Sequence, residues 1–128
     1  MKRRFISVIL TVACLFGLFT LRSRAADERD LLALATEAVA GGESYTVMAS
    51  VASVLLNRAA SDKYPDGIAA VIADAGIDLS GVIATSRARR AAADAISGFD
   101  PTRGALGYCK GESFRGFVRL ETDGWSFY

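Results

Sequence analysis

The chain has no histidine, two cysteines, two prolines and a single tryptophan in 128 residues. Each shortage excludes something. Without an imidazole base, Ser-His-Asp and Cys-His nucleophilic mechanisms are ruled out. Of the two cysteines, Cys14 lies in an apolar N-terminal run, so the body keeps only Cys109. One thiol cannot close an intramolecular disulfide, and one thiol without histidine makes no zinc site of the usual kind. No metal or other cofactor is expected, and the body must hold together by packing alone.

Acidic charge is missing from the N-terminal segment. Lys2, Arg3 and Arg4 precede an uncharged run from Phe5 to Leu21, and Ser23-Arg24-Ala25 follows. A basic start, an apolar stretch and a small-x-small site form the layout of a secretory signal. A run of this length also just reaches the short end of a spanning helix, so an uncleaved anchor is the alternative. The expected division is residues 1–25 as signal peptide or membrane anchor and residues 26–128 as one domain. The first segment holds five of the 15 basic residues and no acidic one, leaving ten basic against 14 acidic residues, a net charge of −4. A mildly acidic body lacks the clustered Lys and Arg that nucleic-acid affinity needs, so no nucleic-acid partner is expected. Membrane contact is expected only through the N-terminal segment, if it is uncleaved. Arg87, Arg89 and Arg90, and the looser pair Arg115 and Arg119, read as solvated surface.

The body is organised around Leu31–Arg58. Leu31, Leu34, Ala35 and Ala38 recur at helical spacing, which predicts a helix over Leu31–Ala40, with Asp27 or Asp30 capping it. Gly41-Gly42 stops it. Val47, Val51, Val54 and Leu55 predict a second amphipathic helix over Thr46–Ala60, capped by Ser44 or Thr46. Asn57 is expected to fold back on neighbouring backbone, and Arg58 suits a helix C-terminus. Tyr64-Pro65-Asp66-Gly67 is a turn. A short helix follows over Ile68–Asp74, with Ile68, Val71 and Ile72 inward. Ala75–Thr85, broken by Gly76 and Gly81, reads as strand or buried loop. Ser86 caps a helix over Arg87–Ser97 whose apolar side is mostly alanine. After the Asp100-Pro101-Thr102 turn come short extended pieces at Ala105–Cys109, Phe114–Leu120 and Trp125–Tyr128. The fold class expected is α+β: a single small domain, helices first, with a small C-terminal β-sheet.

Between the first two helices stands Glu43, a carboxylate at a glycine turn facing a helix start. A helix N-terminus favours its charged form. The stretch LLA, then GGESY and LLNR, then Tyr64-Pro65-Asp66, and then GFDPTRGAL (Gly98–Leu106) resembles the SleB/CwlJ-type cell-wall hydrolase domain. These motifs are fairly specific together, and the likeness covers nearly the whole chain after residue 25. The resemblance implies a lytic-transglycosylase-like fold and cleavage of spore-cortex or wall peptidoglycan, with glycan strands as partner. Catalysis by one glutamate as general acid is implied too, the sugar's own N-acetyl or hydroxyl group completing the reaction. Aligned without gaps on that pattern, the family's catalytic glutamate falls on Val39, which cannot donate a proton. Where the family usually has a C-terminal histidine, this chain has Trp125. The remaining candidates for the acid are Glu43 and Glu37, and a non-catalytic wall-binding or regulatory relative is the alternative. Glu37 lies two residues before Val39, roughly 200° round the same helix. A working acid must be neutral near pH 7, which needs an apolar setting. Tyr45, Tyr108 and Trp125 are candidates to stack on sugar rings, or else ordinary core aromatics.

Overall fold

The computed structural model describes residues 27–111 and 116–128. Four helices precede three short strands. Helix α1 covers residues 27–40, α2 is Tyr45–Ala60, α3 is Ile68–Asp74 and α4 is Ser86–Ile96. Strands β1 (Tyr108–Lys110), β2 (Leu120–Thr122) and β3 (Trp125–Phe127) form an antiparallel sheet in the order β1-β3-β2. In the register of the central β3, Tyr108 faces Phe127 and Lys110 faces Trp125 on one side; Leu120 faces Phe127 on the other.

Helix α2 is the axle of the fold. Every residue from Val47 to Leu55 is buried. The amphipathic reading of this helix is therefore corrected: it is covered on all sides, not along one stripe. Small residues permit this. Ala49, Ser50, Ala52 and Ser53 let neighbouring backbones come close, and each buried serine hydroxyl is satisfied inside the helix. Ser50 Oγ donates to Thr46 O at 2.6 Å, and Ser53 Oγ to Ala49 O at 2.8 Å. Helix α4 lays Ala88, Ala91, Ala92 and Ala95 against α2, leaving Arg87, Arg89 and Arg90 exposed. Phe127 and Trp125 close the core from the sheet, Phe127 with no exposure.

Several expected boundaries move by a few residues. Residues 27–30 are already helical, so Asp27 and Asp30 lie within α1 and do not cap it. The buried face of α1 carries Leu32, Ala33, Ala35, Thr36 and Ala40; of the periodic set Ala35 is buried, Leu31 and Leu34 are half-buried and Ala38 is exposed, so the face is turned from the one expected. Thr36 stays satisfied by donating to Leu32 O at 2.7 Å. The cap of α4 is Thr85, not Ser86: its Oγ1 accepts from Ala88 N at 3.2 Å. Residues 75–85 are loop, apart from the last turns around Ala75. The extended piece read over Phe114–Leu120 is strand only from Leu120, and Phe114 and Arg115 lie outside the described residues.

The loop after α4 is organised by one carboxylate. Asp100 Oδ1 accepts from Thr102 N at 2.8 Å and Thr102 Oγ1 at 2.6 Å. Its Oδ2 accepts from Gly104 N at 2.8 Å and Asn57 Nδ2 at 3.0 Å. Asn57 also donates to Ala105 O at 3.0 Å, so it ties α2 to this loop and does not fold back on its own backbone. Buried Thr102 in turn accepts from Ala105 N at 3.1 Å. The DPTRGAL stretch is thus a loop wound round Asp100 and pinned to α2, and it delivers the chain into β1.

Candidate active site

The turn from α1 to α2 sets the site. Glu43 N donates to Ala40 O at 3.1 Å. A Cβ on Gly41 would stand 2.7 Å from Glu37 O, and Gly42 has φ +80°, so both positions require glycine. Ser44 caps α2, its Oγ accepting from Val47 N at 3.3 Å while donating to Asp123 Oδ2 at 2.6 Å. Arg87 of α4 donates to Glu43 O at 2.9 Å. The turn is therefore fixed from three directions: by its glycines, by the β2–β3 turn and by α4.

Its side chain points to the sheet. Lys110 Nζ lies 2.7 Å from Glu43 Oε1, with the glutamate side chain 21% exposed and the lysine 64%. The hydrogen bond from Lys110 holds the Glu43 carboxyl below its ordinary value of 4.5; partial burial pushes it up, and the lysine charge and the Trp125 N–H push it down again, against repulsion from Asp123. Trp125 Nε1 is buried and makes no well-formed hydrogen bond among the described residues, so its hold on Glu43 is electrostatic proximity. Lys110 Nζ sits 5.9 Å from the Trp125 ring centre, and that ring is 6.0 Å from Tyr108 and 6.2 Å from Phe127. Beside this group the sheet end opens a cavity of about 420 Å³. Its lining includes Thr122, Asp123, Gly124 and Trp125. Glu43 does not itself line this cavity; the link is Asp123, which lines it and accepts from Ser44 Oγ, the residue after Glu43.

The structure divides the predicted site residues into two groups. Glu43, Trp125 and Tyr108 come together at the sheet. Glu37 turns to α4 instead, where its Oε2 accepts from Thr85 Oγ1 at 2.8 Å. Tyr45 also faces α4: its hydroxyl donates to Asp94, and Arg90 lies 5.5 Å from its ring. Acceptance by Asp94, then burial, pushes the Tyr45 hydroxyl above its ordinary value. Trp125 is only 5% exposed, so its ring faces are mostly spent on packing. Tyr108 is half-buried, and burial pushes its hydroxyl up. Val39 is half-buried against the core.

Sequence reasoning missed Lys110 and Asp123. Asp123-Gly124 between two extended pieces is a hairpin-turn pattern, and that signal could have marked Asp123. It takes the left-handed conformation, φ 49°. Lys110 carried no local signal, because its partner lies 67 residues away.

Comparison with known proteins gives a concordant picture. The model of a family described as cell wall hydrolase matches residues 42–122, a span that contains Glu43, Tyr45 and Tyr108 and excludes Glu37, Val39 and Trp125. The spore cortex-lytic enzyme of Halalkalibacterium halodurans is 38% identical over 87 residues, 61% of this chain and 26% of that protein. That of Bacillus subtilis is 38% identical over the same length, 61% of this chain and 28% of that protein. The chain thus spans about a quarter of the length of these curated relatives. Among solved structures, the catalytic domain of the Bacillus cereus SleB protein has TM-score 0.66 at 26% identity, covering 80% of this chain and 89% of that one. The catalytic domain of the germination-specific lytic transglycosylase SleB from Bacillus anthracis has TM-score 0.63 at 27% identity, covering 78% and 92%.

Proposed function

The chain belongs to the cell wall hydrolase family, and from that premise we propose that it cleaves the glycan strands of peptidoglycan, with Glu43 as the reacting carboxyl. The observation that carries this is the placement of Glu43: a half-buried carboxylate at the junction of α2 and the sheet, paired with Lys110 and linked through Ser44 and Asp123 to the open cavity at the sheet end. Glu37 is committed to the cap of α4. In the reaction, protonated Glu43 gives its proton to the glycosidic oxygen as the C–O bond breaks. A group of the same sugar then closes on the anomeric carbon, and its hydroxyl proton returns to the carboxylate, so no second protein carboxylate is needed.

At rest Glu43 is ionised, because Lys110 holds it so. Catalysis therefore requires the arriving strand to draw Lys110 away and shed water from the carboxylate. Both changes favour the neutral acid. The action is on the wall, outside the cytoplasm, with residues 1–25 directing export or anchoring the chain. Mass measurement of the protein from cells distinguishes the two by the presence or absence of that segment.

The test is fragment release from purified peptidoglycan. Glu43→Gln should abolish it, with Glu37→Gln retaining it; equal release by wild type and Glu43→Gln refutes the assignment. A second reading, a wall-binding relative without catalysis, is favoured by the Lys110–Glu43 pair and by Val39 at the aligned acid position. It predicts co-sedimentation of the wild type with peptidoglycan and no release of fragments.

A further inference from the structure

We propose that the cavity at the C-terminal end of α2 is a second binding site, which takes a carboxylate of the wall polymer. It encloses about 540 Å³ and is lined by Arg58, Lys63, Tyr64, Leu106, Gly107 and Tyr128. Two lining side chains are cationic and no lining side chain is acidic. Glu43 lies just beyond the opposite end of α2, about 20 Å away along the helix at 1.5 Å per residue, so this cavity does not include the candidate acid; Tyr108 stands between the two, beside Arg58 on one side and Trp125 on the other.

Arg58 is built to receive an anion. Its Nε donates to Leu106 O at 2.7 Å, which fixes the guanidinium. Its central carbon lies 5.1 Å from the Tyr64 ring centre and 5.5 Å from that of Tyr108, so aromatic faces hold the plane. The ion pairs of Asp and Glu side chains among the described residues, Arg90 with Asp94 and Lys110 with Glu43, do not involve it. A guanidinium has five N–H donors in a fixed fork, and only one is engaged by Leu106. The remaining edge suits the two oxygens of a carboxylate, bound side by side. Held in advance by the loop wound round Asp100, it loses little freedom on binding. Lys63, exposed on the neighbouring loop, adds a second positive charge at the rim.

The choice of polymer rests on the wall-glycan reading; the choice of a carboxylate rests on the cavity. Peptidoglycan offers two sources, the free carboxylates of the stem peptide and the lactyl carboxylate of those muramic acids that carry no peptide. The experiment is co-sedimentation of the full chain, as Glu43→Gln so that the wall stays intact. It uses three preparations: whole peptidoglycan, glycan stripped of peptides by an amidase, and peptidoglycan whose carboxylates have been amidated. Charge reversal by Lys63→Glu should weaken binding to whole peptidoglycan about tenfold, and Arg58→Lys, which keeps charge and loses the fork, should weaken it too. Amidated wall should bind the parent chain as weakly as the variants bind whole wall. The amidase frees a lactyl carboxylate at each muramic acid it strips, so retention on stripped glycan shows that the site accepts the lactyl carboxylate, and loss there assigns the stem peptide. Equal binding of amidated and untreated wall overturns the proposal, as does Lys63→Glu with unchanged binding. Failure here leaves fragment release by the wild type intact. Failure of the Glu43 assignment instead appears as release by Glu43→Gln, a separate readout.

Discussion

Replacing Asp100 should unpin the loop that joins α4 to the sheet. The carboxylate accepts four hydrogen bonds, two on each oxygen. Bonds to a charged acceptor contribute about 1.5–3 kcal/mol each, but they share one group and do not add. The side chain is only half-buried, so water replaces part of what is lost. Asp100→Ala should then cost about 3 kcal/mol, which for a domain of this size lowers the melting temperature by about 15 °C. Asp100→Asn discriminates the reasoning better. An amide can still accept two bonds at its oxygen, but its NH2 meets two donors, Gly104 N–H and Asn57 Nδ2–H. Asparagine should therefore recover less than half the loss, despite being isosteric. The charge gives a second readout. Burial pushes Asp100 up, yet the donors on Thr102, Asn57 and Gly104 outweigh it and hold the carboxyl below its ordinary 3.8. A folded-state value below the unfolded one means stabilisation that is complete above about pH 4 and disappears as pH falls through the folded value. The stability gap between wild type and Asp100→Asn should therefore narrow in acid. Urea unfolding of the three proteins across pH 2–7 decides this. If Asp100→Asn lies within about 0.5 kcal/mol of wild type at neutral pH, the loop does not depend on this carboxylate as argued.

The remaining predictions concern the two ends of α2. Lys110→Met removes the main influence that lowers Glu43 and leaves the burial that raises it, so Glu43 should titrate at higher pH. A general acid loses activity as pH rises through its own titration, so the alkaline limb of fragment release should move upward in this variant. A pH–rate profile superimposable on wild type refutes the role given to Glu43. Gly107→Ala places a Cβ 2.2 Å from Tyr128 Cε2, so the ring must swing aside. The expected loss is about 1–3 kcal/mol, with weakened wall binding because Tyr128 lines the second cavity. A melting temperature within about 2 °C of wild type would show that the ring yields freely.

What the sequence made legible follows from how local each signal is. The short helix α3 was readable to the residue, because Ile68, Val71 and Ile72 share a face between Gly67 and Gly76. The cap at Ser44 was readable as one of two hydroxyls at a helix start. The face of α1 was not, because leucine and alanine occur on nearly every side of it. Burial of Val47–Leu55 on every side of α2 was hidden for a related reason: serine reads as polar, and nothing in a linear pattern announces that its hydroxyl is returned to the preceding turn. Three-residue strands are too short for alternation to emerge.

The candidate site depends on the least local contacts of all. Glu43 was visible as a carboxylate at a glycine turn, but its charge state is decided by Lys110, and the position of its turn by Asp123, 67 and 79 residues along from their partners. Those contacts exist only because β1 and the β2–β3 turn are brought against the start of α2. The brace for β1 is the Asp100 loop at the far end of the same helix. That loop also holds Leu106, which fixes Arg58. One helix therefore carries an acid at one end and an anion receptor at the other, and both are aligned by the same sheet. Loosening the Asp100 loop should then weaken both ends together, whereas Lys63→Glu should leave the acid untouched. Measuring fragment release and binding in Asp100→Asn and Lys63→Glu side by side separates a shared scaffold from two independent sites.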